Sequence, residues 1–380
     1  MNNQSSRNIW VDYLRATITV LVVAHHSALA YTSFSVFNKD AYILSTHAVV
    51  DNKRWFLLDY MVGFNDTFFM PLMFLIGGLF FFTTINKKGV WLFTKDKVLR
   101  LLIPFLLPGT LLMLLAYFPS FYLAKNSTNV EAYVKDFFTT EAWPVGPPWF
   151  LWLLFVFNFI AALIYRLFPA KYGLFLSGVF NEKNNFFKQF LILFLIGLLA
   201  YLPMAGYFGP YSWTGFGPFD FQLSRLILYF AYFGVGAIVV RLSLNAGIFS
   251  NNSVVVKQYR LWCLLAIAVF TGTLFLNQVL NIQQFNNMLF VLCCTLICIA
   301  LISVFSKFLA KSISWWDALS KHAYLIYLVH FVFVTWIQFW LLHFDLPVPI
   351  KFLTVFLLSF VLSWITAYLL RKIAIVKKYL

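Results

Sequence analysis

Long apolar runs alternate with short polar gaps along almost the whole chain. A bilayer-spanning helix needs about 20 mostly apolar residues, because every backbone polar group must be satisfied within the segment. Ten runs meet that length, at about residues 9–33, 57–84, 99–124, 149–165, 189–207, 223–240, 261–280, 285–306, 322–343 and 351–370. Several are longer than a perpendicular crossing requires, which predicts tilt, kinks or interfacial turns. Pro104 and Pro108 predict a kink in the third run. In "TTEAWPVGPPWFLWLLFVFN", Pro and Gly halt any helix before Trp149. The pattern predicts an all-α, polytopic membrane protein of about ten transmembrane helices. A single transmembrane domain covers 1–380, with no internal repeat and no separate soluble domain.

Composition strengthens this reading. The 380 residues are 62% hydrophobic and 11% charged, against about 25% charged in soluble domains. The formal charge of +15 would suggest nucleic acid in a soluble protein. Here the cations sit in the gaps between apolar runs, so no nucleic-acid partner is expected. With a cytoplasmic N-terminus, 20 of the 28 Lys and Arg residues fall in inner segments and 6 in outer ones. Arg15 and Arg225 fall inside spans. That asymmetry predicts both termini in the cytoplasm. Cys263, Cys293, Cys294 and Cys298 all lie in apolar runs, without zinc or disulfide spacing, and read as small buried hydrophobes. The outer stretch "GYFGPYSWTGFGPFDFQLSR" suits either an interfacial aromatic belt or a sugar-stacking platform.

The first run, "DYLRATITVLVVAHHSALAY", carries Asp12, Arg15, His25 and His26. Residues 7–30 also fit a cleavable leader, with Arg7 and Arg15 before "ATITVLVVA" and a small-residue site at Ala28-Leu29-Ala30. Read as a helix, the run brings Arg15 and His26 to within about 20° of one face, about 16 Å apart along the axis, and turns His25 about 80° away. Intramembrane ionisable groups normally face protein or a wet cavity. Two readings stand: a snorkelling Arg15 with a structural His26, or a polar track from the cytosol to mid-membrane. Asp12 is spaced to pair with Arg15. No His, Cys, Asp or Glu grouping has metal-ligand spacing, and no phosphate-binding glycine loop follows a strand. Neither a metal nor a bound cofactor is expected.

Several stretches, in order, resemble acyltransferase family 3, a family of integral-membrane O-acyltransferases. "VDYLRATITVLVVAHHS" resembles its first-helix signature, an Arg followed by ten residues and a His, which selects Arg15 and His26. "MPLMFLIGGLFFF" resembles its second helix, with Gly77 where a serine is common. "KDKVLRLLIPFL" resembles its basic motif, with Lys97 where Arg is common and Arg100 retained. "GPPWFLWLLFVFN" and "AYLIYLVHFVFV" resemble two later motifs. The matches span about residues 11–340, and the nearest branch in look is that of the periplasmic glucan succinyltransferases. The family keeps its first helix, which argues against the cleavable leader.

The resemblance implies multi-pass residence in a cell membrane, inner or plasma. It also implies transfer of an acetyl, succinyl or similar group from cytosolic acyl-CoA, as co-substrate, to a hydroxyl of a glycan or other envelope acceptor. His26 would be general base, Arg15 would orient the donor with help from Asp12, and Lys97 and Arg100 would bind CoA phosphates. Plain membrane anchoring is the competing account of those two cations. Trp149 and His330 are possible cavity residues, with core packing and a structural histidine as the alternatives. A transporter or flippase of a glycan or lipid is the alternative function, although the inverted repeats common in that class are missing here.

Overall fold

In the computed structural model, the described residues are 8–139, 143, 146–168, 185–241, 248–250, 252–280 and 282–379. About four-fifths of them are helical. The long helices are α1 Ile9–Leu29, α2 Phe56–Leu79, α3 Phe81–Lys97, α4 Thr110–Lys125, α5 Val130–Thr139, α6 Trp149–Leu167, α7 Phe186–Phe208, α8 Leu226–Arg241, α9 Tyr259–Leu280, α10 Gln283–Phe308, α11 Ser314–Leu341 and α12 Val348–Leu370. Among the described residues, eight helical segments are long and apolar enough to cross a membrane. They correspond to eight of the ten predicted runs. The other two runs form α1, diluted by its polar residues, and α8, part of the shorter apolar segment Leu223–Val239. The protein is an all-α, polytopic membrane protein.

The bounds moved where local chemistry overrode the apolar pattern. The first run stops being helical at Leu29, four residues before the apolar stretch ends. The ninth starts at Ser314, eight residues before its predicted start. The third run begins beyond Gly89, whose φ of +74° breaks α3 into two helices; only glycine adopts that conformation readily. The predicted proline kink takes the form of two π-helical turns, Val98–Leu102 and Phe105–Gly109. Proline removes a donor from the helical ladder, and a π turn re-pairs the backbone around it. The outer connection 125–148 holds a helix that the apolar pattern did not announce, α5, which buries Tyr133 and Phe137.

α1 lies at the centre. It packs against α2, α10, α11 and α12, and it buries eleven of its 21 residues. Two apolar cores flank it, one built largely from α2, α7, α8 and α10, the other from α6, α11 and α12. α2 and α8 approach closely where Gly78 and Gly236 cross: a Cβ on either would sit 2.0 Å from a carbonyl oxygen of the facing helix. Small residues allow such contact in the absence of a hydrophobic drive between helices in lipid.

The outer loop between α1 and α2 folds back over the bundle. Lys351, at the start of α12, donates to Asp51 at 2.5 Å, with both side chains buried. Ser120 of α4 donates to the Ala48 carbonyl at 2.5 Å. Arg54 reaches the Ser35 carbonyl at 3.1 Å. A second outer element is a small antiparallel hairpin pairing Trp213–Thr214 with Phe221–Gln222, pinned where Trp152 Nε1 donates to the Asp220 carbonyl at 3.0 Å.

Candidate functional site

Two cavities penetrate the bundle from opposite ends of α1. The one at its N-terminal end has a volume of about 490 Å³ and is lined by five cations: Arg15, Lys97, Arg100, Lys321 and Arg371. The one at its C-terminal end, about 560 Å³, is lined by His25, His26, His47, Asp66, Asp220 and three tryptophans, Trp143, Trp149 and Trp213. On the orientation the charge pattern predicts, these are the inner and outer cavities. Tyr327 lines both. Elsewhere the wall is about one helical turn thick: Thr19 and Val22 of α1, Met73 and Met70 of α2, and Phe150 and Trp149 of α6 face opposite cavities. The Tyr327 hydroxyl donates to the Pro147 carbonyl.

Arg15 and His26 therefore share a helix face but open into different cavities. Arg15 Nη2 donates to Asp12 Oδ1 at 3.3 Å, and its Nε is buried without a partner. Asp12 pairs with Arg15 from outside the inner cavity's lining. Lys97 sits over the Phe93 ring at 5.2 Å, and Arg100 Nε donates to Asp96 at 3.0 Å. Lys97 ends α3, Arg100 lies in the π turn Val98–Leu102 that follows, and both line the cavity.

His26 is held at Nδ1 in the wall of the outer cavity. Its Nδ1 is 2.9 Å from the Val22 carbonyl, and His330 Nδ1 is 2.7 Å from the Tyr327 carbonyl. A carbonyl only accepts, so each ring donates through Nδ1–H. In the neutral rings the lone pair is then on Nε2. His330 Nε2 lies 3.3 Å from His26 Nδ1 and shares its proton. This leaves His26 Nε2 as the free acceptor. His330 is fully buried and stands behind His26, outside the cavity lining. Trp149 lines the outer cavity and packs edge-on against Trp213, with centroids 5.3 Å apart.

A family model described as an acyltransferase domain matches residues 8–368. The chain belongs to acyltransferase family 3. No curated protein and no solved structure matches it significantly. This member of acyltransferase family 3 is thus an integral-membrane acyltransferase. The stretches that carry the resemblance are the ones that wall its cavities. Met73, Ile76 and Gly77 of α2, Lys97 and Arg100, and Phe150, Leu151 and Leu154 of α6 face inward, while Gly146, Pro147 and Trp149 face outward. At Gly77, a Cβ would meet the Leu154 side chain at 2.7 Å, so the glycine leaves room for Leu154.

Three groups at the site were not singled out by sequence. His47 arrives from the outer loop and donates Nε2–H to Gln338 Oε1 at 2.8 Å. Asp66 accepts from both terminal nitrogens of Arg225, at 2.9 and 2.7 Å. Arg225 itself lies in a 3₁₀ turn before α8, 1% exposed, with Phe290 against its guanidinium at 4.5 Å. Asp220 lies in the outer hairpin, where burial pushes its carboxyl above the ordinary range and the Phe221 N–H partly offsets the rise. The only signals for Asp66 and Arg225 were their charges in apolar runs.

Proposed function

We propose that the protein is an acyl-CoA-dependent O-acyltransferase of the cell membrane. It moves an acyl group, acetyl, succinyl or similar, from a cytosolic donor to a hydroxyl of a glycan or other envelope molecule in the outer cavity. The observation that carries this reading is the fixed tautomer of His26. Its proton is engaged on Nδ1 by Val22 and His330, and Nε2 is free at a cavity wall one helical turn from a cationic cavity.

In this reading the inner cavity takes the anionic end of the donor. Lys97 and Arg100 bind its phosphates through charge-assisted hydrogen bonds, and Arg15, steadied by Asp12, orients the thioester arm. His26 Nε2 removes the acceptor's hydroxyl proton as that oxygen attacks the thioester carbonyl. The C–O bond forms, the C–S bond breaks, and the imidazolium returns its proton to the departing thiolate. The products are an ester and the free thiol. Trp149 and its indole neighbours supply flat apolar faces against which a sugar ring packs.

The test is O-acylation of envelope glycans by mass spectrometry, beside CoA release from labelled acyl-CoA by the purified protein. The His26→Ala variant is expected to lose about 10²–10⁴-fold in rate, and His25→Ala to retain activity. Normal acylation by folded His26→Ala protein would overturn the base assignment. Loss in His25→Ala alone would move the base to the neighbouring ring.

A further inference from the structure

His47 differs from His25, His26 and His330 in coming from a loop rather than a membrane helix. That loop is rigidly tied. The carbonyl next to His47, on Ala48, accepts from Ser120, and Asp51 forms the buried pair with Lys351. Gln338 fixes the ring's proton. Its amide nitrogen donates to the carbonyls of His26 at 3.1 Å and Ser27 at 3.3 Å, so its oxygen is the acceptor for His47 Nε2–H at 2.8 Å. In the neutral ring the lone pair is therefore on Nδ1. Burial drives the ring toward that neutral form, lowering its pKa to about 4 from 6.5.

Of the three imidazoles that line the outer cavity, His26 and His47 each present a lone pair whose position is fixed by hydrogen bonding, on Nε2 and Nδ1. The ring centroids are 6.5 Å apart, and both rings pack edgewise on Phe331 at 5.4 Å. That separation is too long for a direct hydrogen bond between the rings. Hydroxyls on neighbouring carbons, each making a hydrogen bond of about 2.8 Å, span it. A lone pair in a buried pocket needs a donor, and a substrate that brings none leaves it unpaired.

We propose that His47 is a specificity residue that binds a second hydroxyl of the acceptor, adjacent to the one His26 deprotonates. The enzyme thereby selects vicinal diols over isolated alcohols. The inference rests on the outer cavity being the acceptor's site.

The test uses the purified full chain with acetyl-CoA and succinyl-CoA as donors, and trans-cyclohexane-1,2-diol or cyclohexanol as acceptor, two probes that differ by one hydroxyl. The expected result is a preference of about tenfold in kcat/KM for the diol. The preference collapses in His47→Ala while cyclohexanol turnover, which also reports folding, persists. His47→Asn, whose side-chain oxygen falls near the position of Nδ1, is expected to keep part of it. A diol preference unchanged in His47→Ala, equal loss on both alcohols, or no preference in the wild type would overturn the assignment of His47 alone. No transfer to either alcohol from either donor would overturn the reading of the outer cavity as an alcohol-acceptor site, and the inference with it.

Discussion

The cations of the inner cavity are open to solvent: the Arg15 side chain is 39% exposed and that of Arg100 51%. Lys321 is exposed and Arg371 half-buried. On the outer side Arg225, His47 and His26 are fixed by partners. Arg225 is 1% exposed beneath Asp66, His47 is tied to Gln338, and His26 is tied to Val22 and His330. The difference fits two tasks. An anionic donor that binds and leaves is served by a field of accessible cations. A reacting hydroxyl needs its base held to within a fraction of an ångström, and that takes packed, hydrogen-bonded supports.

The largest test of this contrast is Asp66→Ala, which strands the Arg225 guanidinium in the bundle. Arg225 is 1% exposed although Asp66 is 39% exposed, and a buried charge left without its counter-ion costs about 3–5 kcal/mol, so thermal unfolding in detergent should shift down clearly. An unshifted transition would mean that the outer wall is not the rigid half. Next in size is a pH effect. His47 is neutral in the fold down to about pH 4, whereas an unfolded histidine takes up a proton near 6.5. The unfolded chain therefore binds more protons between those values. Stability is full above pH 6.5 and falls as pH drops toward 4, by about 3 kcal/mol at most from this ring. His25 and His26 face the same space, so the diagnostic result is the flattening of the profile in His47→Asn. The smallest effect belongs to the inner side. Lys97→Ala with Arg100→Ala should raise KM for acyl-CoA about tenfold, with acceptor KM unchanged and stability moved by less than about 1 kcal/mol. A large loss of stability there would erase the distinction.

What could be read from the sequence was whatever leaves a periodic trace. The apolar runs mark the helices, and the turn of about 100° per residue puts Arg15 and His26 on one face of α1. Motif resemblance added Lys97, Arg100, Trp149 and His330. What escaped depends on contacts far apart in the chain. His47 meets Gln338 across 291 positions, Asp66 meets Arg225 across 159, and Asp51 meets Lys351 across 300. Nothing local in "STHAVVDNK" signals that this loop folds inward. Helix arithmetic likewise gave the angle between Arg15 and His26 but not the wall between their cavities. That wall is made by Tyr327 of α11 and by α2 and α6, not by α1 alone.

The thinness of that wall has an electrical consequence. A membrane potential normally falls across a hydrocarbon layer of about 30 Å. Where polar cavities enter from both ends and leave one helical turn between them, the drop falls mainly across the wall formed by Tyr327 with α1, α2 and α6. Moving a unit charge through the full drop involves about 2.3 kcal/mol per 100 mV. In the proposed reaction, a neutral acetyl group would cross this wall without feeling the potential. A succinyl carboxylate travelling outward from a negative interior would be driven by it, coupling the rate of acylation to the energised state of the membrane.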